Sequence, residues 1–318
     1  MLEVKSVEIE SESLKDNPLK DPYKRKVYQI LPDNPQGKPI VVYLSGYHSS
    51  SITQLNYDPY SEPIVQRLER LGIKDIIFIL PDTFTRYGGN QYLNSPAVGN
   101  YEDFIINDVV KYFKDIYKSD KIGLIGKSSG GYGALYLGMK YAGLINVIAS
   151  HSPDAYFEYA YIPSFPLAIR NLSKFKNPKE WVDYFWSLKS KKKYELLETL
   201  MIVGLSAFYS PKLNGEFELP FDLETGEIIS SVWDKWLQKD PVRFIDSLVG
   251  NLRRLKAIYL DVGRKDEFNL QYGVRMIHMK LTKFGIPHYF EEFEGGHMDT
   301  AFRLDVSIPY IAREIINS

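Results

Sequence analysis

The sequence predicts an α/β fold: a mostly parallel central sheet with helices on both faces. Three observations predict it. Short, continuous apolar runs recur along the chain, the pattern of strands covered on both faces. Amphipathic helical stretches alternate with those runs, as they do when crossover helices join parallel strands. The 318 residues, 44% hydrophobic and 25% charged, are composed as in ordinary globular chains and are enough to bury a large core.

The elements follow in order. Residues 3–10 alternate as a strand does, and 26–31 repeat the pattern before a turn carrying Pro32, Asn34, Pro35 and Gly37. Residues 39–44 form the first continuous apolar run and end at Ser45-Gly46. Residues 62–71 place apolar side chains at 64, 65, 68 and 71, a helical spacing closed by Gly72. A buried strand is expected over 76–80, then a helix over 103–117 with 105, 109, 112 or 113, and 116 on one stripe. The strand at 121–125 runs straight into glycines and a helix over 130–142, and 146–149 reads as the next strand. The rhythm returns with a strand at 257–260, a helix at 270–284 ended by Gly285, and a strand at 288–293. A last helix spans 300–316, which Pro309 is expected to kink or split.

Between the two halves the rhythm breaks. Residues 155–245 are rich in aromatics, including Tyr156, Phe157, Tyr161, Phe165, Trp181, Phe185 and Trp186. Asn177-Pro178 and Asp240-Pro241 open two helices in the cap-then-proline manner, and 214–226 is a loop marked by Pro and Gly. The expected division is a core of 1–152 and 250–318 with 153–249 as a helical, cap-like insertion. It would lie over the C-terminal edge of the sheet, where α/β ligand sites sit. The alternative is a set of extra helices extending the core.

Charge and composition exclude several function classes. Thirty-nine basic against forty acidic side chains, a net charge of −1, argue against bulk-charge binding of nucleic acid or anionic membrane. The chain has no cysteine, which removes disulfides, thiolate metal sites and cysteine nucleophiles together. No metal or organic cofactor is expected. Residues 1–12 lack the apolar core of a signal peptide, and no apolar run approaches about 18 residues, so a cytoplasmic protein without a membrane span is expected. Lys191-Lys192-Lys193, the one clear basic run, reads as a solvated helix end.

The chemistry concentrates at Gly126-Lys127-Ser128-Ser129-Gly130. A phosphate-binding loop needs a glycine five residues before Gly126, where Lys121 stands, so that reading fails. G-x-S-x-G between a strand and a helix is instead the context of a nucleophile elbow. Its tight turn requires small residues two positions either side of Ser128 and leaves the Ser129 amide free for an oxyanion. A serine hydroxyl also needs a base. Of the five histidines, His278 falls mid-helix and His288 opens a strand, whereas His297 follows Gly295-Gly296 directly after the last strand. In the order serine, acid, histidine, that is the position of the base. The acid is expected after the preceding strand, where Asp266 is preferred and Asp261 is the fallback; Asp154 and Asp299 are weaker candidates. The second oxyanion donor is expected from the loop 44–48, at the Tyr47 amide. His48 either touches substrate or caps that loop, and His151 either lines the pocket or is a hydrogen-bonded structural residue.

These residues resemble the esterase D, or "putative esterase", family of the α/β-hydrolase superfamily, whose relatives include S-formylglutathione hydrolases, feruloyl esterases, enterochelin esterases and antigen 85-type mycolyltransferases. The family's elbow, G-x-S-x-G-G-x-G-A-L, is matched from Gly126 through Leu135, and its acid loop, D-x-G-x-x-D-x-F, from Asp261 to Phe268. Its double glycine before the base is matched by Gly295-Gly296-His297, and Leu44-Ser45-Gly46 resembles its oxyanion segment. The resemblance implies an α/β-hydrolase fold, Ser128, Asp266 and His297 as triad, and Tyr47 and Ser129 as oxyanion donors. The chain departs from S-formylglutathione hydrolases in having no cysteine behind the oxyanion segment, Ser129 where those enzymes often have Met, and a larger insertion. The implied activity is a serine carboxylesterase acting on a small-molecule ester. The same machinery also serves acyltransferases and peptidases, and a non-catalytic binding fold is the reading from a different class.

Overall fold

In the computed structural model, which describes residues 2–317, the apolar and alternating segments assemble one eight-stranded sheet. In chain order the strands are β1 (Glu3–Glu10), β2 (Lys24–Leu31), β3 (Ile40–Leu44) and β4 (Ile77–Pro81). A separate two-residue ladder, β5 (Asn94–Ser95) with β6 (Gly99–Asn100), precedes β7 (Ile122–Lys127), β8 (Val147–His151), β9 (Ala257–Gly263) and β10 (Tyr289–Phe293). The spatial order is β1-β2-β4-β3-β7-β8-β9-β10. β2 pairs antiparallel with both neighbours, and every other pairing is parallel.

Burial follows the sequence logic. β3, β4, β8 and β9 are buried along their whole length, whereas β1 at the open edge is exposed at Glu3, Lys5, Glu8 and Glu10. Charges on an edge strand disfavour pairing with a further chain. Alternate residues of each central strand enter two cores, one on each face. Val42, Leu44, Leu124, Ile148 and Leu260 join one core, and Val41, Tyr43, Ile125, Ala149 and Tyr259 join the other.

The helices cover both faces. α1 (Ile64–Arg70) packs on the second core. α2 (Tyr101–Asp103) leads through a π-helical stretch, Phe104–Lys111, into α3 (Tyr112–Tyr117) on the first. α4 (Ser129–Lys140) follows the elbow on that same face. Between β8 and β9 come α5 (Phe157–Ala160), α6 (Phe165–Leu172), α7 (Pro178–Ser187), α8 (Tyr194–Tyr209), α9 (Ser230–Leu237), α10 (Pro241–Phe244) and α11 (Val249–Leu252). α12 (Leu270–Lys283) completes the first face and α13 (Leu304–Ile316) the second. Asn177 and Asp240 cap α7 and α10 as expected, accepting from the amides of Glu180 at 2.9 Å and Val242 at 3.0 Å.

One expectation needs correction and another is narrowed. The stripe on the helix over 103–117 ends differently, because Phe113 and Tyr117 are buried while Tyr112 and Ile116 are exposed. The π-helical stretch is the reason. Its i→i+5 bonding widens the turn, so the buried pairs Phe104/Val109 and Ile105/Val110 align and the phase of the following turns shifts. Pro309 does not split the last helix, which runs unbroken from Leu304 to Ile316.

Candidate active site

The elbow is built by steric exclusion. Ser128 stands between β7 and α4 at φ 57° and ψ −122°, a conformation that costs a non-glycine residue free energy. A Cβ on Gly126 would lie 2.2 Å from the Gly130 carbonyl oxygen, and one on Gly130 only 1.9 Å from that of Leu44. Neither position accepts a side chain, which is the physical content of the two glycines in the motif. The Ser128 amide donates to the His151 carbonyl at 2.9 Å, tying the turn to β8.

The loop after β3 lies against this turn. A Cβ on Gly46 would be 3.2 Å from the Lys127 carbonyl oxygen and 3.6 Å from Ser128 Cβ. Among the described residues the amides of Tyr47 and Ser129 donate to no protein acceptor. Two donors beside one hydroxyl are therefore unspent.

His297 and Asp266 meet at the ends of β10 and β9. His297 Nδ1 lies 2.7 Å from Asp266 Oδ2, and both residues are buried. The other carboxylate oxygen of Asp266 accepts from the Phe268 amide at 3.0 Å, which fixes the acid in place. Phe268 packs edge-on against the imidazole with centroids 4.8 Å apart, and the His297 amide donates to Glu267. Ser128 and His297 line one cavity of about 720 Å³, together with Tyr47, Asp154, Tyr161 and Met201. No hydrogen bond joins the serine to the imidazole among the described residues; the Ser128 hydroxyl donates to Asp154 Oδ1 at 3.3 Å.

The fallback acid has other partners. Asp261 accepts from Arg303 Nε at 2.9 Å and the Tyr259 hydroxyl at 2.7 Å, and lies 2.8 Å from His151 Nδ1. Burial alone would raise its carboxyl, but His151, Arg303 and Tyr259 together outweigh burial and hold it below the ordinary carboxylate range. His151 also reaches the Ser307 hydroxyl at 2.8 Å, so both its nitrogens are engaged although the residue borders the cavity. His48, at φ 59°, has a buried Nε2 with no hydrogen-bond partner, and burial pulls its pKa down to about 4. His278 and His288 bond each other at 2.8 Å, away from the cavity. Among the described residues no three His, Asp or Glu side chains gather in a metal-holding cluster.

Asp154 is the residue that sequence reasoning undervalued. It follows β8 rather than β9, yet it touches Ser128 and Ser129 directly and accepts from Gln91 and Tyr161 as well. Its only sequence signal is its place just beyond a parallel strand's C-terminal end.

The sequence matches the family model described as "Putative esterase" over residues 22–307. The chain belongs to that family. It is accordingly an enzyme of the carboxylic ester hydrolase class. No curated protein matches this esterase. Its fold is similar to that of a ferulic acid esterase, at 17% identity and TM-score 0.61 over 98% of each chain. It is similar also to an S-formylglutathione hydrolase from Agrobacterium tumefaciens, at 14% identity and TM-score 0.60 over 99% of this chain and 96% of that one. A third likeness is to FphF, a fluorophosphonate-binding serine hydrolase of Staphylococcus aureus, at 17% identity and TM-score 0.59 over 100% and 99% of the two chains. At these identities the likeness speaks for the α/β-hydrolase fold alone. No helix among the described residues is long and apolar enough to cross a membrane.

Proposed function

We propose that this esterase is a serine carboxylesterase that cleaves a small-molecule ester through an acyl-enzyme, with Ser128 as nucleophile, His297 as base and Asp266 as the orienting acid. The observation that carries the reading is the 2.7 Å contact of Asp266 with His297 Nδ1, beside a cavity that also holds the strained Ser128 turn. Asp266 on Nδ1 favours the tautomer whose Nε2 is free to accept a proton. His297 Nε2 takes the Ser128 proton as Oγ bonds to the ester carbonyl carbon. The carbonyl electron pair moves onto oxygen, where the amides of Tyr47 and Ser129 receive it; one such donor is worth about 2.7–4 kcal/mol in comparable sites. As the tetrahedral species collapses, the ester C–O bond breaks and His297 returns the proton to the leaving alcohol. Water then enters by the same route and releases the acid.

We read residues 153–249 as a cap-like insertion on the core of 1–152 and 250–318. What supports it is α8, whose Leu197, Glu198 and Met201 line the cavity while twelve of its sixteen residues are buried. A helix buried nearly all round is a wall of the site.

The test is hydrolysis of p-nitrophenyl esters from acetate to long acyl chains, beside Ser128→Ala. The expected result is activity that peaks at one chain length and vanishes in the variant, with labelling of Ser128 by an organophosphonate. Undiminished turnover in folded Ser128→Ala would falsify the reading.

A further inference from the structure

Asp154 is a carboxylate without a cationic partner, set against the reacting hydroxyl. It is 6% exposed and borders the cavity. Its Oδ2 accepts from three neutral donors: the Ser129 hydroxyl at 3.0 Å, the Gln91 amide at 2.9 Å and the Tyr161 hydroxyl at 2.8 Å. Its Oδ1 accepts only the 3.3 Å bond from Ser128. A serine that turns its proton to His297 withdraws that donor and leaves a buried carboxylate oxygen unsatisfied, which is unfavourable. A negative charge there also repels the oxyanion that forms next to it. No lysine or arginine among the described residues forms an ion pair with Asp154, and Lys127 is the one that borders the same cavity.

The rest of the cavity repeats the pattern. Glu198 on α8 borders it, accepts from the Ser164 hydroxyl at 2.7 Å through Oε2, and forms no ion pair among the described residues. Burial pushes its carboxyl above the ordinary range. Asp58, Glu267 and Asp299 also line the cavity, against one lysine, Lys127. That lysine lies in the field of Asp266, Asp261, Glu267 and Asp299. The cavity is short of positive charge.

We infer that the cavity selects esters whose acyl part carries a protonated amine beside the reacting carbonyl, received by Asp154 Oδ1. An ammonium brings three donors and a positive charge, so it satisfies the oxygen that Ser128 leaves and cancels the repulsion at the oxyanion. It stays protonated throughout, and the acyl transfer is unchanged. Asp154 acts here as a specificity residue. Tyr161, Leu197, Met201 and Phe268 would hold the apolar remainder of the acyl group. The inference rests on the serine-esterase reading.

The test compares three matched p-nitrophenyl esters, butyrate, 2-hydroxybutyrate and 2-aminobutyrate, at about pH 6.5, below the α-amino pKa of roughly 7.7–8.0. In the wild-type enzyme kcat/KM is expected to be about tenfold or more higher for the amino ester than for butyrate. In Asp154→Asn the ratio should fall to about one. General damage to the site lowers both rates and leaves the ratio alone, so a preserved ratio in the variant overturns the inference. A wild-type ratio at or below one overturns it without any variant, which covers the case of an unfolded Asp154→Asn. A hydroxy ester equal to the amino ester overturns the cationic assignment. Turnover of all three at one rate sinks this inference alone, whereas no turnover and no phosphonate labelling of Ser128 sinks the serine reading with it.

Discussion

Gly204→Ala, on α8, should slow catalysis at a serine far away in sequence. The Tyr47 ring occupies a slot between two glycines. A Cβ on Gly89 would lie 2.5 Å from Tyr47 Cγ, and one on Gly204 would lie 1.9 Å from the Tyr47 hydroxyl oxygen and 3.2 Å from Cζ. The hydroxyl donates to the Tyr87 carbonyl at 3.1 Å, which pins the ring and with it the amide assigned to the oxyanion. To reach ordinary contact at 3.4 Å from 1.9 Å, the oxygen has to retreat by about 1.5 Å. Overpacking of this kind costs about 1–3 kcal/mol, and alanine's better helix propensity returns about 1 kcal/mol, so the variant should stay folded. A misplacement of about 1 Å in a reacting group is worth about 10²-fold in rate, close to the loss of one oxyanion donor. The expectation is therefore a kcat about a hundredfold lower, KM moving much less, and a melting temperature within a few degrees of wild type. Tyr47→Phe removes the clashing oxygen together with its bond to the Tyr87 carbonyl, and leaves the new Cβ 3.0 Å from Tyr87 Cβ and 3.2 Å from Cζ. The double variant loses the worst clash and also the pinning bond, so its kcat should recover in part and exceed that of Gly204→Ala. Steady-state kinetics on one p-nitrophenyl ester, with a melting curve for each variant, decide it. An unchanged kcat in Gly204→Ala, or a double variant no faster than the single, refutes the link from slot to amide.

Three further outcomes are expected. Asp266→Asn should lower kcat by about 10⁴-fold with KM little changed, because an amide on Nδ1 favours the wrong imidazole tautomer; a loss under about tenfold would return the acid's role to another residue. Asp261→Ala takes away the carboxylate that His151 and Arg303 share, while Arg303 keeps Glu291, so urea unfolding should show about 1–3 kcal/mol less stability; an unmoved midpoint would remove Asp261 from its bracing role. His48 has its pKa lowered to about 4 in the folded chain, against 6.5 ordinarily. Between those values the unfolded chain binds a proton that the folded chain refuses, so stability falls as pH drops through that window, by up to about 1.4 kcal/mol per pH unit. His48→Asn, which tolerates the positive φ, should flatten that acid limb. Parallel limbs in the two proteins, followed by urea unfolding between pH 7 and 4.5, would count against a buried neutral imidazole.

What was readable in the chain is what local chemistry controls. The central strands follow from apolar runs, and the elbow follows from glycines whose missing Cβ atoms make room for Gly130 and Leu44 backbone. Asp266 and His297 are 31 residues apart, but each directly follows a strand, and parallel strands deliver their C-terminal ends to one edge. Chain order alone therefore brought them into view. The 103–117 helix shows where such reading stops. Its apolar stripe was visible, but its phase was not, because the turn widens to bury Phe104, Ile105 and Ile106 against the sheet.

Backbone sterics and hydrophobic periodicity act over a few residues, so the strands, the elbow and the candidates for base and acid were legible in the chain. Which of Asp266 and Asp261 neighbours His297 was settled by packing, because they stand five positions apart, Asp261 in β9 and Asp266 in the turn after it, and their partners, His297 for one and His151 with Arg303 for the other, come from other strands and helices. Only the tertiary structure revealed the cavity's charge. Asp154 gathers Gln91 from 63 residues upstream and Tyr161 from the segment after α5, and Tyr47 fits a slot that α8 completes. Such contacts depend on where distant segments pack, a sum over the whole chain that leaves no periodic mark on any one stretch of it.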